Sequence, residues 1–449
     1  MKKKAWSIGL IAFFCLAVSF VVIKYKNKQQ IERNTVYTLL PRNGNNNYAE
    51  WLALKNNADS LMARIKAKPT DTKAAIALTN IYIIEARISG NVAYYDNAAL
   101  HTVEGILAKQ PDNAEALMLK SLLELSQHHF AEGLQTATIA VNLVPNNAFG
   151  YGLLVDANVE LGNYEAAVDA ADKMITIRPD LRSYSRISYL REIYGDYPGA
   201  ISAMKLAVAA GVTAEENTEW CRTQLGRLYE NIGEVPQAVY QYNLSLAARP
   251  GYVNALSGLG RIALFEKKYD SAIYFNNLAA GLSNDLGIKQ SLANAYLHAG
   301  QIEKAKAIRT EAINVMIKNA EKSNDESGVG HYSDKELAYA YIHNNDLEKA
   351  LEHALAEYNR RPKNIDVNET MAWVYYKRNE IAKALPFLEA AMLTNSKKPE
   401  LLSVAGLIYI KSGNIEKGNK MLKLGLVNNP VMVEDFINES TAVIQKKSN

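Results

Sequence analysis

Apolar residues recur at helical spacing through most of the chain, and the recurrence itself repeats. Pro111, Pro145 and Pro179 stand 34 residues apart; Pro250 follows Pro179 by 71, two periods plus three, and Pro362 and Pro430 are separated by 68, two periods. Each proline follows one amphipathic stretch and precedes another, as a helix-stopping residue should between repeats. Within a period the pattern has two parts. Leu225-Gly226-x-x-Tyr229 is followed by Gly233, Ala238-x-x-x-Tyr242, Leu246 and Pro250. Small residues at Gly226 and Ala238 let two helices approach closely, the tyrosines fill the space between them, and Gly233 supplies the turn. The layout recurs as Leu259-Gly260, Tyr269, Ala272 and Ala279, and as Met371-Ala372-x-x-Tyr375 with Ala384 and Ala391. Ala405-Gly406-x-x-Tyr409 with Gly413 and Gly418 makes the last copy.

This pattern resembles the tetratricopeptide repeat, whose Leu-Gly-x-x-Tyr, later Ala-x-x-x-aromatic and terminal Pro are met almost literally at 225–250. In phase with that copy, repeats are expected at 72–113, 114–147, 148–180, 181–215, 219–252, 253–285, 286–319, 331–364, 365–398 and 399–432. The resemblance implies an all-α fold, a right-handed α-solenoid of about ten helix pairs. Residues 48–68 read as a leading helix and 433–446 as a trailing one whose polar face suits a solenoid cap. The first repeat is about eight residues too long, an excess expected in its inter-helix turn between Arg87 and Tyr95. Residues 319–330 break the phase and read as a flexible linker. They divide the array into 48–318 and 331–432, with a cap and tail at 433–449. Ser333-x-x-Glu336 has the form of a capping box that restarts the next helix.

The start of the chain differs in kind. The run from Ala5 to Ile23 is free of charge, with Lys2-Lys3-Lys4 before it and Lys24, Lys26 and Lys28 after it. As a helix it would span about 28 Å, near the hydrocarbon thickness of a bilayer. Residues 1–33 are therefore expected to form a transmembrane signal anchor, with a linker at 34–47. Ala17-Val18-Ser19 offers the small residues of a cleavage site, so removal of the segment is the alternative. Against it, Phe20-Val-Val-Ile23 would carry the apolar run beyond the cut. The leading lysine cluster favours an inside amino terminus at the cell membrane and an array outside the cytoplasm. Cleavage would leave the array periplasmic or secreted.

A chain of 449 residues is too long for one ordinary compact core, and 48% hydrophobic with 22% charged residues is a folding composition. The net charge of +3 conceals an asymmetry. Residues 1–33 hold seven Lys/Arg and one Glu, leaving a body of net −3 without the basic excess of a general nucleic-acid binder. Two cysteines, Cys15 and Cys221, cannot build a disulfide framework. Repeats and caps consume nearly all residues from 48 to 446, and no Gly-rich phosphate loop, His-Glu-x-x-His or Gly-x-Ser-x-Gly motif occurs. Neither an enzyme nor a cofactor is expected. His128-His129 falls in a turn between paired helices and is expected as solvated surface, with no cysteine nearby to complete a metal site. Cys221, beside Trp220 on a helix, is expected to pack.

In the resembled family, peptides commonly lie in the concave groove formed by the first helix of each pair, where positions 2, 5, 9 and 12 face inward. Position 9 reads Leu122, Asp156, Tyr189, Arg227, Arg261, Asn294, Tyr339, Trp373 and Leu407. Three zones follow. Met118, Leu122 and Leu125 are apolar. Arg182, Arg186, Tyr189, Gln224, Arg227, Arg261, Gln290 and Asn294 offer guanidinium and amide groups suited to carbonyls and carboxylates. Tyr332, Tyr339, Trp373 and Tyr376 are aromatic and would anchor apolar or Pro-containing segments. Bland explanations stand beside these: arginines pairing with Asp156, Glu192 or Glu230 stitch repeats together, and an aromatic stripe at helical spacing is core. The function implied is a non-catalytic scaffold for a partner protein or peptide at the cell envelope. One alternative is a carrier of a small molecule or glycan, with a compact pocket near Tyr339 and Trp373. Another is an accessory subunit of a membrane enzyme or secretion complex, engaged through the anchor.

Overall fold

A computed structural model describes residues 37–45, 47–323 and 331–428, with Ser19, Lys24 and Glu439. The expected span at 5–23 lies outside the described residues apart from Ser19, as does the trailing helix at 433–446 apart from Glu439. Among the described residues no helix is long and apolar enough to cross a membrane. The chain divides into a short unit ending at Leu40 and a body beginning at Pro41.

Among its described residues the body is all-helical. After a 3₁₀ turn at Asn43–Asn45 comes a leading helix, α1 (Tyr48–Ala67). Ten pairs follow: α2 (Thr72–Ser89) with α3 (Val92–Leu107), α4 (Ala114–Ser126) with α5 (Phe130–Leu143), and α6 (Ala148–Leu161) with α7 (Tyr164–Ile177). Next are α8 (Leu181–Ile193) with α9 (Tyr197–Ala210), α10 (Glu216–Asn231) with α11 (Val235–Ala248), and α12 (Val253–Phe265) with α13 (Tyr269–Leu282). The last four are α14 (Leu286–His298) with α15 (Ile302–Ser323), α16 (Asp334–His343) with α17 (Leu347–Arg360), α18 (Ile365–Lys377) with α19 (Ile381–Ala391), and α20 (Pro399–Lys411) with α21 (Ile415–Asn428). Each helix packs most extensively on the other member of its pair.

Local chemistry sets these boundaries. Pro111, Pro145, Pro179 and Pro362 lie in the loops between pairs, and an Asn or Asp one or two residues later restarts the helix. Asn113 accepts from the Ala116 amide at 3.0 Å, Asn147 from Phe149 at 2.9 Å, Asp180 from Arg182 at 2.9 Å and Asn364 from Val367 at 3.0 Å. Each such cap contributes about 1 kcal/mol. Two local expectations differ. The extra residues of the first repeat lengthen its helices, because Ile88 and Tyr95 are buried and draw the segment into helix; Gly90 and Asn91 alone make the turn. Ser333 stands at the N-cap of α16 but makes no capping hydrogen bond. The helix α15 runs through Ser323, so the first five residues of the 319–330 stretch are helical, and 324–330 lie outside the described residues.

Successive turns of the superhelix touch each other. The tight turn inside one pair meets the loop that precedes the pair six places further on. At the first rung the Asn284 amide donates to the Ser89 carbonyl at 2.9 Å. At the second, the Tyr332 amide donates to Gln127 at 3.2 Å, and His128 Nδ1 lies 2.7 Å from the Tyr332 carbonyl. At the third, the Ile365 amide donates to the Tyr164 hydroxyl at 2.8 Å and Asn364 to the Glu160 carbonyl at 3.0 Å. At the fourth, Gly195 faces the Asn395 carbonyl. The leading helix completes the series, since Arg249 donates to both oxygens of Glu50 at 2.8 Å. The turns of the first, third and fourth pairs carry Gly90, Gly162 and Gly195 at φ of 71°, 77° and 73°, with the neighbouring turn of the superhelix pressed where a side chain would project. The second carries His128 at φ 64°. This corrects the expectation of a solvated His128-His129. The His128 ring lies 4.1 Å from that of His331, and His129 stacks on Tyr332 at 4.5 Å.

Candidate functional site

The first helices α2, α4, α6, α8 and α10 turn their inner faces onto a cavity of about 830 Å³, and the third and fourth rungs complete its wall with residues 364–366, 396, 398 and 400. The concave face is therefore a lumen with walls from two turns of the superhelix.

Its two ends differ in charge. At one end Arg182 stands in the first turn of α8, its guanidinium 5.2 Å from the Phe149 ring. Burial and the neighbouring Arg186 hold Arg182 below its ordinary pKa. Arg186 donates to both oxygens of Asp156, at 2.9 and 2.5 Å, and to the Gly152 carbonyl at 3.1 Å. Arg87 sits 5.9 Å over Trp220 and 3.4 Å from Glu216.

At the other end carboxylates gather around one amine. Lys398 Nζ lies 3.3 Å from Asp366 and 3.2 Å from Glu369. Lys398 holds the Asp366 carboxyl down at about 2, while burial raises Glu369. Burial also raises Glu192, which accepts from Asn231 at 2.9 Å, and Glu160, which is ion-paired to Arg361. Tyr189, Gln224 and Arg227 line the cavity as well.

Of the candidate groove residues, Arg182, Arg186, Tyr189, Gln224 and Arg227 converge on this lumen. The others are placed elsewhere. Arg261 clamps Glu230, with Nε at 3.2 Å and Nη2 at 3.0 Å, and also reaches the Tyr242 hydroxyl at 3.3 Å. Asn294 accepts from Arg309 at 2.9 Å, and Gln290 lies with Arg309 and His343 at a small crevice among α14, α15 and α16. Trp373 and Tyr376 are 4% and 2% exposed, stacked at 5.0 Å within the core against which Tyr339 packs. Tyr376 further donates to Glu439 at 2.9 Å. These aromatics face inward because they fill the seam between helix pairs, and among the described residues they line none of the cavities around the lumen. In the apolar zone Met118 and Leu125 are core, and Leu122 lines the lumen.

Phe149, Trp220 and Glu192 were legible at positions 2 and 12 of the same register that gave Arg182 and Tyr189. Asp366 also stands at position 2 of its repeat, but its arrival at this lumen, like that of Lys398, carries no local signal, because the next turn of the superhelix delivers both. Cys221 is fully buried beside Tyr197 and Leu225, and burial pushes its thiol up to about 12, in keeping with packing. Among the described residues no three His, Cys, Asp or Glu side chains are grouped to hold a metal ion.

No family model and no curated protein matches this chain. Solved structures do. A tetratricopeptide repeat protein of Thermus thermophilus, TTC0263, aligns over 41% of this chain and 90% of its own at 21% identity, with a TM-score of 0.33. One from Parabacteroides merdae aligns over 58% and 98% at 15% identity and 0.33. The chain is similar to tetratricopeptide repeat proteins. PilW, a type IV pilus biogenesis factor, aligns over 48% and 96% at 12% identity and 0.38.

Proposed function

We propose that the chain is a non-catalytic interaction scaffold at the cell envelope, held to the membrane by residues 5–23, that receives a segment of a partner protein in the lumen of its superhelix. The observation that carries this reading is the convergence of Arg182, Tyr189, Gln224 and Arg227 on one cavity of about 830 Å³. Polar hydrogen-bonding groups beside aromatic side chains in a concave wall suit a peptide backbone and its side chains. The charge-free run after the lysine cluster supports the anchor and the placement of the array outside the cytoplasm.

A photo-crosslinking residue at Gln224 tests the lumen, with one at Tyr240 as the outward-facing control, since Tyr240 is 56% exposed on α11. Capture of one partner from native membranes at Gln224 and not at Tyr240 is the expected result. Capture at Tyr240 alone would move the contact to the outer face and overturn the reading.

A further inference from the structure

The lumen is charged at both ends, and the two ends are unequally neutralised from within. At the cationic end Arg186 is satisfied by Asp156 and Arg87 by Glu216, but no carboxylate lies within ion-pair distance of Arg182 among the described residues. Arg182 also sits in the first turn of α8, whose free amides are already capped by the Asp180 carboxylate, itself ion-paired to Arg178. Burial and the neighbouring Arg186 disfavour the guanidinium at rest, so an incoming negative group beside the Phe149 ring is rewarded. At the far end Lys398 stands within ion-pair distance of Asp366 and Glu369, Lys335 and Arg361 act on Asp366 and Arg227 on Glu192 from further off, and Glu192 and Glu400 line the wall beside them. A positive group arriving there meets Glu192, held by the Asn231 amide, and Glu400, neither of which has a cation within ion-pair distance among the described residues.

The helix that links the two ends also sets their spacing. Arg182 and Glu192 are ten residues apart on α8, or about 15 Å at the helical rise. An extended chain advances about 3.3 Å per residue, so about four to five residues cover that distance. Gln224 and Ser185 line the lumen too and offer polar partners to a backbone.

We propose that the lumen selects an extended peptide segment carrying an acidic side chain for Arg182 and, four or five residues away, a basic side chain for Glu192, Asp366 and Glu400. This rests on the reading of the lumen as the partner site and adds the chemistry of the partner.

The test is titration calorimetry of the full chain with synthetic octapeptides. One carries Glu and Lys five residues apart, one carries them adjacent, one replaces both with Gln, and one carries two Lys five apart. A 12-aminododecanoate arm has both charges without a peptide backbone. The spaced Glu/Lys peptide is expected to bind about tenfold or more tightly than the Gln peptide. Arg182→Glu should abolish that advantage and raise affinity for the two-Lys peptide, a gain that a misfolded variant cannot show. Equal binding of the spaced, adjacent and Gln peptides would overturn the charge rule while leaving the lumen as the site. Absence of all peptide binding while Gln224 still crosslinks a partner would do the same. Equally tight binding of 12-aminododecanoate would overturn the peptide class and make the lumen a small-molecule site. Absence of both peptide binding and crosslinking would remove the site and the proposal together.

Discussion

Tyr242 lies between two helices at points where both carry glycine. A Cβ built on Gly226 would stand 2.6 Å from its ring and one on Gly258 2.5 Å from it, while its hydroxyl donates to Glu230 at 2.5 Å. Gly258→Ala should therefore destabilise the protein by about 1–3 kcal/mol through overpacking. Gly105 is the internal control, since nothing lies within 4 Å of where its Cβ would be. Gly105→Ala should be neutral or stabilising by up to about 1 kcal/mol. Urea denaturation of both variants checks this, and equal midpoints would refute the packing. The small-residue code was legible in the sequence because packing repeats at each period. The fate of Arg261 was not: the same guanidinium at position 9 serves either a ligand or a neighbouring carboxylate, and only the position of Glu230 decides.

At the scale of elements, the loops between pairs do more than connect. Arg361, 3% exposed, ion-pairs Glu357 in its own pair and Glu160 in the third pair, and lies 4.6 Å over Phe130. Removing it strips Glu160 of its ion-pair partner and leaves Glu357 with Arg360 alone, so Arg361→Ala should cost about 3–5 kcal/mol by thermal or urea unfolding. A loss below about 1 kcal/mol would show that the rung is not held there. The second rung should respond to pH. Burial and the His331 charge hold His128 well below 6.5, and burial lowers His331 as well, so folding favours both rings neutral. Arg361, Lys335 and Arg360 face this cluster on the basic side; Glu336 and Glu357 oppose them, and His129 lies beside it. The unfolded chain takes up these protons near pH 6.5 and the folded chain only at lower pH. Stability is thus full above about 6.5 and declines as pH falls toward the folded values. Wild type should lose more stability than His128→Asn between about pH 7.5 and 5.5, asparagine being tolerated at positive φ. Parallel losses would place the acid sensitivity elsewhere.

At the scale of the whole molecule, the ten pairs among the described residues, at six per superhelical turn, give four rungs between pairs. The pair count and their limits could be read from proline spacing and amphipathic phase. The pitch could not, because it accumulates from a small rotation at each of six interfaces, none of which has its own residue signature. The same accumulation brings Asp366 and Lys398 to the lumen. Deleting residues 395–449 should therefore speed amide exchange at Gly195 and Asp196, six pairs upstream, while leaving the Gly233 turn, which meets no pair six places on among the described residues, unchanged. Uniform acceleration at both turns would mean general loosening instead.

Those rungs also change the dimensionality of the fold. A simple repeat array is a string of beads in which each unit senses only its two neighbours, so it frays from its ends. Here a unit is bonded along the string and also across it, as a brick is in a curved wall. Fraying one end withdraws support from the middle, and the array should come apart less like a string unravelling than like a wall losing a course.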